Sequence, residues 1–152
     1  MRTRADPVRH AVRVPLLPTS QRSLLVRTTA VDDAAWHRLV AVLGEENEDG
    51  FRAYVDFVDD PMWVGAPRDL LRNSIPQHPR ETAVLFIADD ETLSAPDFPI
   101  VVVDLLEQRP AFRCVASELW AVENNLNIAN MDWEEFADST DQNGVYRGPN
   151  ER

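Results

Sequence analysis

Lysine is absent: all 15 basic residues of this 152-residue chain are arginines. That excludes lysine-dependent phosphate loops, Schiff-base chemistry, Ser-Lys dyads and the lysine-dependent phosphoacceptor domains of bacterial signalling. Cysteine is nearly absent. Cys114 alone can form neither an internal disulfide nor a cysteine-based zinc cage, and its place in an apolar run marks a small buried hydrophobe, as suits a reducing cytoplasm. The five glycines, Gly44, Gly50, Gly65, Gly144 and Gly148, stand singly, so there is no Gly-rich dinucleotide loop. None of His10, His37 and His78 lies in a catalytic motif. No apolar run approaches the roughly 18 residues of a membrane-spanning helix. The expectation is a cytoplasmic protein with no membrane role.

Acids, in contrast, are abundant. Residues 1–29 hold six arginines and one aspartate, net +5, which leaves nine of the 15 arginines and 25 of the 26 acids, net −16, for residues 30–152. A surface this acidic repels nucleic acid and favours cations or basic protein partners. Residues 1–22 carry Pro7, Pro15 and Pro18 among scattered arginines and show no sustained period, which predicts a flexible basic arm. Residues 23–148 are expected to form a single domain, with residues 149–152 as a frayed tail.

Within that body, apolar spacing alternates between strand and helix signatures. Residues 23–28, 82–88 and 100–105 are short apolar runs of the kind found in buried strands, residues 51–58 alternate with period two, and residues 111–115 follow a tight turn at Arg109-Pro110. Trp36, Leu39, Val40 and Leu43 predict a helix capped by Asp32 or Asp33 and ended by Gly44, with His37 off its apolar stripe. A second helix follows Pro67, with Leu70, Leu71 and Ile75 inward until Pro76, before a polar link over residues 77–80. The most distinctive stretch, residues 117–138, has no arginine, six acids and four asparagines. Its apolar residues Leu119, Val122, Leu126, Ala129, Trp133 and Phe136 form one helical stripe, while the asparagines and an Asp132/Glu135 capping-box spacing predict two helices, residues 118–128 and 132–139. The pattern reads as α/β: a mostly parallel sheet of about five strands with an antiparallel edge hairpin, helices on both faces and a C-terminal helical segment. A flavodoxin-like strand order is compatible with it.

Asp59, Asp60, Asp89, Asp90 and Asp104 each follow a strand, so parallel neighbours would bring them to one edge. There Asp59, Asp89, Asp90 and Asp104, completed by Glu123 or an asparagine, could hold Mg²⁺ or Mn²⁺ for phosphoester chemistry. The leading expectation holds no cofactor or metal; aspartates also serve as turn and cap residues. Asn124, Asn125, Asn127 and Asn130 read as a polar bracket over a chain turn or as a recognition surface. Trp63, between Met62 and Val64, is either an exposed partner-binding tip or buried under the second helix.

Five segments together resemble a family of small actinobacterial proteins classed as a domain of unknown function. They are Leu24-Leu25-Val26-Arg27-Thr28, Val58-Asp59-Asp60-Pro61, Val101-Val102-Val103-Asp104-Leu105, Glu118-Leu119-Trp120-Ala121-Val122-Glu123-Asn124-Asn125-Leu126 and Ile128-Ala129-Asn130-Met131-Asp132-Trp133-Glu134-Glu135-Phe136. The resemblance implies a bacterial, cytoplasmic, stand-alone domain and assigns no activity, so no functional residue carries over. The expectation is therefore a non-catalytic protein-binding module, immunity-like or regulatory, for a partner with a basic surface. Asp59, Asp60, Trp63, Asp89, Asp90, Glu123, Asn124 and Asn125 are its candidate contacts. The alternative is a metal-dependent hydrolase or phosphotransfer enzyme using the aspartate edge.

Overall fold

The computed structural model describes residues 15–76 and 82–149. The apolar runs form the middle of one sheet. β1 (Ser23–Arg27) leads through α1 (Asp33–Leu43) to β2 (Val55–Val58), and α2 (Arg68–Asn73) precedes β3 (Val84–Ala88). A single helical turn, α3 (Asp90–Ser94), joins β3 to β4 (Pro99–Asp104), which turns into β5 (Phe112–Val115). Then come α4 (Leu119–Asn127), α5 (Trp133–Ala137) and β6 (Val145–Tyr146).

The sheet has six strands in the order β2-β1-β3-β4-β5-β6. β1 is parallel to both β2 and β3, β5 is parallel to β6, and β4 is antiparallel to both its neighbours. The order matches the flavodoxin-like expectation; the direction of β4 does not. The antiparallel β4–β5 hairpin is present but is not the edge, because Val145 and Tyr146 pair with Arg113 and Cys114 as a sixth strand. The second strand is shorter than expected. Residues 51–54 leave the ladder, with the Tyr54 N–H donating to the Glu123 carboxylate at 3.0 Å and Phe51 stacking on Trp120 at 4.7 Å.

Alternation along the strands splits the core into two layers. Leu25, Phe86, Ile100 and Val102 face α1, α4 and α5, while Val26, Leu85, Val101 and Val103 face the side covered by α2. Helices thus lie on both faces. Trp63 is 2% exposed in the second layer beside Leu71, so it is a core residue and not a partner-binding tip; Leu70, expected inward, is exposed instead. Leu17 joins the same layer and donates its N–H to the Ser74 carbonyl at 2.8 Å. Leu17 thus packs with the body although it falls within the arm expected over residues 1–22; residues 1–14, the polar link over 77–80 and the tail beyond Pro149 lie outside the described residues.

The asparagine cluster is a bracket. Asn127 accepts from the Ala83 N–H at 2.7 Å and donates to the Ser23 hydroxyl at 3.0 Å and to Glu123 at 3.2 Å. This pins α4 across the amino ends of β1 and β3. Asn125 closes the same helix: its carbonyl accepts from the N–H groups of Asn130 and Met131, and its side-chain oxygen takes the Asn130 amide. The chain then passes through Ala129 at φ 57° into α5, where Glu135 accepts from the Asp132 N–H at 2.9 Å, the return half of a capping box. Asn124 is exposed. Removing a partner from a buried amide costs about 1–3 kcal/mol. Asn127→Ala is expected to lose stability in that range in urea unfolding, whereas Asn124→Ala should stay within about 0.5 kcal/mol of wild type.

Candidate functional site

Strand direction decides where the acids gather. β4 runs against β3 with Asp104 opposite Val84, so Asp104 lies at the amino end of β3, roughly 13 Å along the strand from Ala88. There it is wholly structural: Asp104, 1% exposed, accepts from the N–H groups of Leu106, Glu107 and Arg109 and from the Arg109 side chain at 2.7 Å. Glu123 and Asn127 hold that same amino edge, with Asn124 and Asn125 on the same helix. The eight candidate contacts therefore do not form one site. Asp59, Asp60, Asp89 and Asp90 stay at the carboxyl edge, whereas Glu123, Asn124 and Asn125 belong to the opposite side of the molecule, and Trp63 is interior.

Nor do the four carboxyl-edge aspartates converge. β1 separates β2 from β3, so Asp59 and Asp89 follow strands about 10 Å apart. Each is paired with an arginine instead. The Arg27 guanidinium, 8% exposed and stacked over Trp36 at 5.5 Å, donates to Asp33 at 2.6 Å, to Asp59 at 3.3 Å and to the Thr29 carbonyl at 2.7 Å. Arg113 makes a bidentate pair with Asp89 at 2.8 and 3.0 Å and also meets Glu91 at 3.2 Å. Asp89 in addition caps α3, exchanging bonds with Thr92. Among the described residues, no group of three or more His, Cys, Asp or Glu side chains could hold a metal ion. The four-aspartate Mg²⁺ or Mn²⁺ site thus loses its geometry. The described histidine, His37, is exposed, and burial pushes the Cys114 thiol well above its ordinary pKa, which leaves it unreactive.

What the carboxyl edge does form is a crevice. β1 sends its connection over one face of the sheet to β2, and the chain returns to β3 under the other face. The strand order reverses between β1 and β3, the place where open α/β sheets leave a cleft. Here a cleft of about 390 Å³ is lined by Thr29, Val31 and Asp32 from the β1–α1 loop and by Asp90, Glu91 and Leu93 from α3. A second cleft, about 740 Å³, continues from it between α1 and the α3–β4 loop, past Arg38, Val42, Pro96 and Phe98. The two share Asp32, Leu93 and Ser94 and form one groove.

Its chemistry is not that of a phosphate site. The β1–α1 loop, Thr28-Thr29-Ala30-Val31-Asp32, contains no glycine, and Asp32 at φ 63° gives its side chain to the Ala35 N–H. With Asp90 and Glu91 opposite, the mouth repels anions. The Gly65 N–H donates to the Thr28 carbonyl at 2.9 Å, bringing the Met62–Val64 turn to the same edge. Val31, Met62 and Val64 are 65%, 57% and 47% exposed there, beside exposed Asp60 and Asp90. Sequence reasoning reached Asp60 and Asp90 but took Asp32 only as a cap and missed Val31, Arg38, Glu91 and Phe98. The signal was the loop after β1, which must lie at the switch point once β1 is central.

Burial alone would raise the Asp89 carboxyl, but the hydrogen bonds from Arg113 and Thr92 outweigh it and hold the pKa below its ordinary 3.8. A native value below the unfolded one means a contribution that is full above pH 3.8 and lost as pH falls through the native value. In Arg113→Gln the Asp89 carboxyl should titrate at higher pH than in wild type, read by carboxyl ¹³C NMR. Wild-type stability should also decline more steeply than that of the variant below pH 4 or so.

No curated protein matches the chain. A family model does: across residues 22–149 the chain belongs to the family described as Domain of unknown function (DUF6924).

Proposed function

We propose that the chain is a non-catalytic protein-binding module, immunity-like or regulatory, that takes a partner with a basic surface at the carboxyl edge of its sheet. The observation that carries this reading is the switch-point crevice itself, where exposed Val31, Met62 and Val64 lie among free carboxylates. Apolar contact supplies the affinity of such a face, and the acids steer a basic partner onto it and reject acidic ones. Asp33, Asp59 and Asp89 are neutralised by Arg27 and Arg113, and Glu91 shares Arg113 at 3.2 Å, so the outward charge comes chiefly from Asp32, Asp60 and Asp90. The buried lone Cys114 supports action in the cytoplasm, and the lysine-free, arginine-only composition supports a GC-rich genome.

Asp60→Asn with Asp90→Asn removes two of these charges without touching the core. Asp60 caps the Pro61–Trp63 turn through an oxygen that asparagine keeps, and the Asp90 carboxylate has no partner among the described residues. The double variant should unfold at the wild-type temperature yet bind its basic partner at least tenfold more weakly, about 1.4 kcal/mol, at low salt. High salt should reduce the difference. Capture indifferent to both salt and the two substitutions would sink the reading.

A further inference from the structure

The groove has a polarity that a uniformly acidic docking face lacks. Its mouth is anionic, with Asp32 on one wall and Asp90 and Glu91 on the other. Its floor is apolar, where Leu93 and Phe98 lie beneath half-exposed Val42. Beyond the mouth stands Arg38, whose guanidinium has no hydrogen bond or ion pair among the described residues. In a body of net −16 whose other groove charges are negative, an unpaired cation beside an apolar floor is a specific complement to a carboxylate. The groove follows α1, an 11-residue helix, so it runs for about 16 Å, three helical turns. Two non-glycine residues with positive φ, Asp32 at 63° and Phe98 at 52°, both line it. Phe98 is bulky and strained in that region, so the surrounding packing must hold it there.

We infer that the groove between α1 and α3 seats one amphipathic helix of the partner. Its Lys or Arg side chains lie at Asp32, Asp90 and Glu91, its apolar stripe lies on Leu93, Phe98 and Val42, and an Asp or Glu meets Arg38. The inference rests on the protein-binding reading and deepens it: the partner segment is dipolar rather than simply basic. Apolar anchors at i, i+3, i+4 and i+7 give such a segment its grip, and the charge order along the groove fixes which segment fits.

Two synthetic 14-residue helical peptides serve as probes, alike in their leucine stripe and in an arginine-rich first turn. One ends in glutamates and the other in arginines. Wild-type protein is expected to bind the glutamate-ended probe at least fivefold more tightly in fluorescence anisotropy, although the acidic body attracts the other more strongly at long range. Arg38→Glu, an exposed position, should invert that preference at unchanged thermal stability. Val42→Asp should weaken both probes. If both proteins prefer the all-basic probe, the groove assignment is overturned and the general acidic-face reading stands. If neither probe binds, the groove assignment is likewise overturned, and the Asp60/Asp90 experiment decides the wider reading separately.

Discussion

The connection from β3 to β4 spans only residues 89–98, with one helical turn inside it. A crossover that returns a chain parallel to the strand it left needs about a dozen residues or more, because it must travel the whole strand length back over the sheet. Ten residues cannot do so, and β4 comes back antiparallel. Much follows from that one length. Asp104 is carried to the far edge, α3 is left beside α1 instead of crossing the sheet, and the strip between them becomes the groove. The carboxyl ends of β2, β1 and β3 stay side by side on one edge, with those of β5 and β6 beyond β4, and the reversal of strand order lies between β1 and β3.

Arginine organises the charge of this edge. A lysine ammonium is a point charge, whereas a guanidinium presents a planar fork of donors and stacks on aromatic faces. Arg27 uses both properties, bridging Asp33 and Asp59 while lying over Trp36; Arg109 does the same between Asp104, Glu134 and Trp133. Direct bonds from these arginines hold the Asp33 and Asp104 carboxyls below their ordinary pKa values, at Asp104 against burial, while Glu134 is held down first by a backbone N–H and then by Arg109. Much of the apparent acidity of the sequence is therefore internal wiring. The charge a partner meets is the remainder, which includes Asp32, Asp60 and Asp90.

Legibility in the sequence tracked how local each feature is. The α1 stripe with its Asp32 cap, the run that became β3, the α4–α5 break and the Asp132/Glu135 box all depend on residues within one or two turns, and each is found near where its spacing placed it. Strand direction depends on partners far away, yet here it was available in the short count between Ala88 and Pro99. The expected aspartate cluster depends on β2, β3 and β4 running parallel, and the antiparallel β4 removes Asp104 from it. The Trp63 alternatives turned on whether the Pro61–Gly65 turn folds over the sheet, and Leu71 and Leu17 decide that from elsewhere in the chain. The groove was hidden for a different reason: its walls are α1, which ends at Leu43, and α3, which begins at Asp90, two elements distant in the chain that meet only in space.

The bond between Ser23 and Asn127 joins residues 104 positions apart. β1 is the first strand to leave the ribosome, but its amino end has no finished environment until residue 127 has emerged, and the Tyr54 N–H likewise awaits Glu123. Until Asn127 is in place, the amino ends of β1 and β3 lack these native partners, and the group that completes them is an amide rather than a hydrophobic side chain.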